Sequence, residues 1–261
     1  MTETAPTRSR WITAGVAAIV LVGAGVPAAL ASAPDKGSHP GYTGSHEPPN
    51  IDLVRQQIYA FYGDPGKTGT ASEDSAYGHK MMRIERRISN LLKARQDANY
   101  HGSTPTLLLD VDDTSLLTYN YEIYSNFAYD PATNAEFVLG EKFPATFGMV
   151  DVVNKAKAMG YDVVYLTGRP ASQQDATIGN LTKVGYPAPD AIYTRDKANP
   201  PAYLSSCAPT CTTIQYKSLT RKHINATGNH IVANAGDQFS DLTGGFADRT
   251  FKLPNPMYYL P

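Results

Sequence analysis

Cysteine is nearly absent from this chain: two residues, Cys207 and Cys211, in 261. That is too few for a scaffold built on disulfides. A zinc site would need further ligands, and His223 and His230 lie too far along the chain to complete a recognisable spacing. Charge of one sign is lacking too. With a net charge of -1 and no basic run there is no electrostatic footprint for nucleic acid, so the expected partners are small molecules. There is no internal repeat, which excludes solenoid architectures.

The one long apolar stretch sits at the N-terminus. Arg8 and Arg10 precede a run from Trp11 to Val26, then Pro27 and small residues that include Ala29-Leu30-Ala31 and Ala31-Ser32-Ala33. A basic start, an apolar middle and small-residue cleavage candidates predict a secretory signal peptide over residues 1–33. An uncleaved anchor is the alternative, and Pro27 with the Ala/Gly content argues against it. Arg8-Ser9-Arg10 is not a twin-arginine pair, and no cysteine follows the run to suggest a lipoprotein. The mature protein is therefore expected outside the cell and free of the membrane. In that compartment Cys207 and Cys211 are expected to pair as a disulfide, closing a short loop that shapes a local turn. Residues 34–50, rich in Gly, Ser, His and Pro, read as a flexible leader. Residues 51–261 have the size of one domain.

What is present is concentrated at the ends of apolar segments. Asp110-Val111-Asp112-Asp113-Thr114 closes an apolar run that begins at Thr106. On a strand from Leu107 to Val111, Asp110 and Asp112 share a face and Val111 takes the other. Buried on both faces, such a strand would present its carboxylates at the carboxyl end, where open α/β sheets bind ligands. Two like charges there call for a cation between them or a proton on one of them. The first suits Mg2+ with an anionic substrate, and the second suits a general acid. A solvated Asp-rich turn is the plainer alternative. A calcium loop fails on spacing, because Ser115 and Tyr121 stand where Gly and Glu are needed.

Three further segments end in polar residues of the right kind. Thr167-Gly168-Arg169-Pro170 offers a hydroxyl, a glycine that lets backbone amides approach an anion, and a proline suited to the first position of a following helix; an ordinary strand-to-helix turn would look the same. Gly236-Asp237 follows another apolar run, and Asp241, four residues on, would share the face of Asp237 if a helical turn begins there. Helix capping by Asp237 is its alternative. Lys217, just before a helix expected to start at Ser218, could carry the cation for a phosphate, with Lys222 and Lys197 as competitors.

Periodicity supplies the frame. Helices are predicted over Ile51–Tyr62 and Tyr77–Lys93, and near Phe147–Met159, Ser172–Val184 and Ser218–Asn225; strands over Leu107–Val111, Asp162–Leu166, Ala191–Tyr193, Ile231–Ala235 and Thr250–Leu253. Strand and helix in turn predict an α/β fold, a doubly wound parallel sheet with helices on both faces. Between the first two strands, about residues 115–147 form an insert rich in aromatics: Tyr119, Tyr121, Tyr124, Phe127, Tyr129, Phe137, Phe143 and Phe147.

In this order, the four segments resemble the haloacid dehalogenase superfamily of phosphohydrolases, and within it the secreted acid phosphatase branch, subfamily IIIB, which includes plant vegetative storage proteins and bacterial lipoprotein phosphatases. The resemblance runs from the first helix to Lys252-Leu253-Pro254-Asn255-Pro256-Met257-Tyr258-Tyr259. It implies a Rossmann-like sheet with a small helical cap at the insert and N-terminal helices. It also implies a Mg2+-dependent phosphatase acting on small-molecule phosphate monoesters, with Asp110 as nucleophile and Asp112 as general acid and base. Mg2+ would be held by Asp110, Asp237 and the backbone carbonyl of Asp112. Thr167 and Lys217 would bind the transferred oxygens, with Asp241, Gly168 and Gly236 in support. The insert's aromatics would mostly form the cap's own core, leaving some to stack on a leaving group. A homo-oligomer is possible, a phosphotransferase is a close variant, and a storage or binding protein on the same scaffold is the alternative.

Overall fold

The computed structural model describes residues 48–261, so the expected signal peptide and nearly all of the leader lie outside the described residues. No helix among the described residues is long and apolar enough to cross a membrane. The chain runs α1 (Ile51–Tyr62), α2 (Ala76–Arg95), β1 (Thr104–Leu109), α3 (Tyr119–Tyr124), α4 (Pro131–Leu139) and α5 (Met149–Ala158). It continues β2 (Asp162–Pro170), α6 (Gln174–Lys183), β3 (Ala191–Arg195), α7 (Thr213–Ala226), β4 (Asn229–Gly236), α8 (Phe239–Leu242) and β5 (Arg249–Lys252).

All five strands are parallel, in the order β3-β2-β1-β4-β5. Each of β1 and β4 is buried on both faces, which explains their unbroken apolar runs. Leu107, Leu109, Val163 and Tyr165 pack in one core with Ile88 and Leu92 of α2 and Val152, Val153 and Ala156 of α5. Leu108, Val164, Leu166 and Ile231 pack in a second core with Tyr216 and Ile224 of α7. The chain leaves β1 toward β2 on one side and returns to β4 on the other, so a crevice opens where these two neighbours end.

Register decides what meets in that crevice. The β1–β4 pairing slips by one residue, from Thr106 opposite Ile231 to Leu107 opposite Ala233, a bulge that absorbs Val232. Beyond it Leu109 stands opposite Ala235, and the Asp110 amide still donates to the Ala235 carbonyl at 3.0 Å. Asp110 and Gly236-Asp237 therefore leave their strands side by side.

Some boundaries differ from those expected. The ladder of β1 stops at Leu109, two residues early, because Val111 turns its carbonyl to the amides of Ser115 and Leu116. Pro170 ends β2 opposite Arg195 instead of opening a helix, and a 3-10 turn over Ala171–Gln173 precedes α6. Helix α7 begins five residues before Ser218: Thr212 caps it in a reciprocal box with Gln215, satisfying the free amides earlier than Ser218 could. Asp237 is not a helix cap, since Gln238 takes that place at α8. The expected disulfide is present, with Cys207 and Cys211 Sγ atoms 2.07 Å apart.

The insert between β1 and α5 holds α3 and α4. Tyr119, Tyr121 and Phe143 are buried, Phe127, Phe137 and Phe147 pack against them, and Tyr124 and Tyr129 are exposed. Most of its aromatics are thus core. The first two helices seal this layer: Tyr62 stacks on Tyr119 with ring centroids 4.3 Å apart, and the Tyr119 hydroxyl donates to Asp64 at 3.1 Å.

The loop after β4 is held by a fully buried arginine on α7. Arg221 donates from Nη1 to the Asp241 carbonyl at 2.5 Å, from Nε to the Gly245 carbonyl at 2.8 Å, and from Nη2 to the Thr243 carbonyl. Burial pushes its guanidinium down to about 10, with the Asp241 charge acting in the opposite sense. Replacing it by methionine leaves the Thr243 and Gly245 carbonyls without donors, while the Asp241 carbonyl keeps the Asn234 amide at 2.9 Å, and each carbonyl left unpaired costs roughly 1–3 kcal/mol. Arg221→Met should therefore lower the urea midpoint by the equivalent of at least about 2 kcal/mol; a midpoint within error of the parent would refute this role.

Candidate active site

At the β1–β4 crevice three carboxylates converge. Asp110, Asp237 and Asp241 are all buried and each offers an oxygen within 4.8 Å of the others. Asp241 comes from α8, and its approach depends on Gly236. A Cβ on Gly236 would lie 2.4 Å from the Asp241 Cβ and 2.6 Å from its Oδ2, so no other residue fits there. The Gln238 amide donates to Asp241 Oδ2 at 2.9 Å, fixing the carboxylate as α8 begins.

One protein cation enters the cluster. Lys217 Nζ donates to Asp110 Oδ1 at 2.5 Å, lies 2.9 Å from Asp241 Oδ1, and reaches the Leu166 carbonyl at 2.5 Å. Its place one turn inside α7 gives it this reach, while Lys197 and Lys222 are exposed. Three carboxylates against one ammonium leave a surplus of two negative charges. The carboxyls and the ammonium shift accordingly. Burial, then the charges of Asp241, Asp237 and Asp112, hold the Asp110 carboxyl well above its ordinary range against the pull of Lys217. Burial and the Asp241 and Asp113 charges push Asp237 up to about 8, although Asn255 and Gln238 donate to it. Burial by itself would lower the Lys217 ammonium, yet Asp110 and Asp241 hold it above its usual value. A hard divalent cation fits this set: the donors are carboxylate oxygens, they converge, and their surplus charge matches its own.

Asp112 is placed differently. Its carboxylate is a third exposed and turns away from the cluster to a buried arginine, Arg169. Arg169 Nη2 donates to Asp112 Oδ1 at 2.6 Å and Nε to both oxygens at 3.1–3.2 Å, while Nη1 donates to Thr177 Oγ1 at 2.9 Å. The fork fixes the carboxylate's orientation at the open side of the crevice. Thr167 is buried beside them, its hydroxyl accepting from the Arg169 amide at 3.1 Å. Gly168 is exposed, and nothing lies within 4 Å of where its Cβ would be, so the backbone is open to an approaching anion.

Four residues of this centre had no role in the sequence reading. Arg169 followed Thr167-Gly168 and could have been suspected from its place at the strand end. Asp113, buried and left-handed at φ 53°, accepts from the Thr118 amide and hydroxyl and from the Tyr258 hydroxyl. Burial pushes it up to about 7 against those donors. Asn255 donates to Asp237 Oδ2 at 2.7 Å and lies 3.4 Å from Asp113 Oδ2. Asn255 and Tyr258 thus bring the C-terminal segment onto the acidic pair, of which Asp113 lies more than a hundred residues away along the chain, and no local signal announces that.

Comparison with known proteins agrees in family and fold. A stem 28 kDa glycoprotein of Glycine max is 33% identical over 222 residues, covering 80% of this chain and 82% of that protein. Acid phosphatase 1 of Solanum lycopersicum is 32% identical over 157 residues, covering 59% of this chain and 58% of its own length. The class C acid phosphatase from Bacillus anthracis superposes with a TM-score of 0.55 over 79% of this chain and 86% of that one; at 22% identity it shares the fold. Residues 51–261 match the sequence model of the subfamily IIIB acid phosphatases. The chain belongs to subfamily IIIB of the haloacid dehalogenase superfamily, the acid phosphatases, and is by class a phosphoric monoester hydrolase.

Proposed function

We propose that the protein is an exported, Mg2+-dependent acid phosphatase that hydrolyses small-molecule phosphate monoesters through an aspartyl-phosphate on Asp110. The observation that carries this reading is the buried meeting of Asp110 with Asp237, Asp241 and Lys217, which a passive storage protein does not need. Lys217 holds one oxygen of Asp110 and leaves the other to form a bond to phosphorus as the ester oxygen departs. Asp112, oriented by Arg169 at the open side, donates the proton the leaving alcohol requires. In the second half it takes a proton from the water that attacks phosphorus, freeing Asp110 and inorganic phosphate. Lys217, the Thr167 hydroxyl and the open backbone at Gly168 receive the transferred oxygens. Asp110 and Asp237, with Asp241 beside them, would hold the Mg2+, which when bound offsets the charge between nucleophile and phosphate.

Export is supported by the N-terminal residues 1–33 and by the Cys207–Cys211 disulfide, which suits an oxidising compartment. A storage role has its own support in the relatives: vegetative storage protein 1 of Arabidopsis thaliana is 27% identical over 160 residues. The deciding measurement is release of p-nitrophenol from p-nitrophenyl phosphate with Mg2+ and with EDTA. Metal-dependent release is expected, and none in either condition would leave the storage reading.

The nucleophile gives a sharper test. Asp110→Asn should lower kcat by at least about 10⁴, while the melting temperature without metal stays level or rises, because one of three repelling carboxylates is gone. Turnover near the parent's would refute the assignment. Titration gives another. Asp113 and Asp237 are raised to about 7 and about 8, and Asp110 is raised as well, so the stability the first two contribute is full below about pH 4 and is lost as pH rises through about 7 and 8. In EDTA the melting temperature should fall across that window, and millimolar Mg2+ should remove most of the fall. A metal-free melting curve that is flat with pH would count against the charged cluster.

A further inference from the structure

The Asp237 carboxylate is held from one side. Both of its hydrogen bonds fall on Oδ2, from Asn255 Nδ2 and from Gln238 Nε2, each at 2.7 Å, so Oδ1 is left for a cation. The same C-terminal segment fixes both donors. The Met257 amide donates to Asn255 Oδ1 at 2.8 Å, which settles which end of that side chain faces the carboxylates, and the Leu260 amide donates to Gln238 Oε1 at 3.1 Å. Pro254 and Pro256 on either side of Asn255 restrict its backbone, and Met257 is buried against the core. Sheet register brings the segment to this place: Lys252 of β5 stands opposite Gly236, and the Leu253 amide still donates to the Gly236 carbonyl at 2.9 Å. Asn255 therefore arrives beside Asp237, and its amide lies 3.4 Å from Asp113 Oδ2 as well.

The kind of donor matters. Elsewhere in the cluster Lys217 pairs with Asp110 and Asp241 and cancels part of their charge. Asp237 belongs to no ion pair among the described residues. Its two partners are neutral amides, which orient a carboxylate and leave its charge intact. We propose that Asn255 is a positioning residue of the cation site: it holds the Asp237 carboxylate in the orientation a small, hard divalent ion demands, so the C-terminal segment sets both the affinity for Mg2+ and the preference for it over a larger ion. Mg2+ requires near-ideal octahedral geometry, whereas Ca2+ accepts irregular and flexible ones. Removing the partner that orients a metal's ligand typically costs roughly 10–100-fold in affinity.

This inference rests on the Mg2+-dependent reading above, and its test separates the two because it needs no turnover. Mg2+ and Ca2+ are titrated calorimetrically into the metal-free parent and into Asn255→Leu, which keeps much of the shape and loses the donor. The Kd for Mg2+ should rise at least about tenfold, while that for Ca2+ stays within about threefold of the parent's. An unchanged Kd for Mg2+, or equal losses for both ions, would assign Asn255 a structural role and overturn the proposal. The parent supplies a second measurement that does not depend on how the variant folds. Coupling between sites is reciprocal, so saturating Mg2+ should slow deuterium exchange at the Met257 amide, which closes onto Asn255. Exchange there that ignores Mg2+ would also overturn the proposal. A parent that binds Ca2+ alone, or neither ion, would instead overturn the Mg2+ reading itself, and this inference with it.

Discussion

Three buried carboxylates around one ammonium form the constraint on which the structure depends. Asp110, Asp237 and Asp241 repel one another in a place with little water, and Lys217 offsets part of that repulsion. Such an arrangement survives only where the surrounding fold insists on it. Here the insistence comes from the parallel ladder between β1 and β4, from Arg221 holding the loop that carries Asp241, and from Gly236 leaving room for that side chain. Stability given up at the cluster is what would make it responsive to a divalent cation and an anionic substrate in the proposed reaction.

Around this centre the second acid, Asp112, is kept apart. Its partner is Arg169 on β2, and Arg169 is braced in turn by Thr177 on α6 and by the ring of Phe143 5.4 Å away. Two carboxylates two residues apart on one chain therefore occupy opposite environments: Asp110 is sunk among like charges, and Asp112 is half-open and paired with a cation. In the proposed reaction, that separation lets one attack and the other shuttle a proton.

The cap and the C-terminal segment complete the site from outside the sheet. α1 and α2 fix the cap through a stack of tyrosines, so α3 holds a steady position over the crevice. The segment after β5 returns across the front, where Asn255 and Tyr258 donate to Asp237 and Asp113. Asn255 and Tyr258 thus belong to the acidic end of the sheet, a relation that hydrophobic periodicity cannot convey.

Much was legible without coordinates. Unbroken apolar runs ending in Asp110, Thr167 and Asp237 announced buried parallel strands and their active ends, because such runs are what burial on both faces requires. The two cysteines announced their own bridge by proximity. Local chemistry also misled at α7, where Ser218 looked a fair cap and Thr212 with Gln215 made a better one. Only the tertiary structure decided which lysine reaches the carboxylates, that Asp241 stands within the cluster while the Asp112 side chain leaves it, and that Arg169, Asn255 and Tyr258 border the site. The reason is physical: periodicity and motifs report on neighbours along one element, whereas register, a bulge at Val232 and the return of distant segments determine which elements touch.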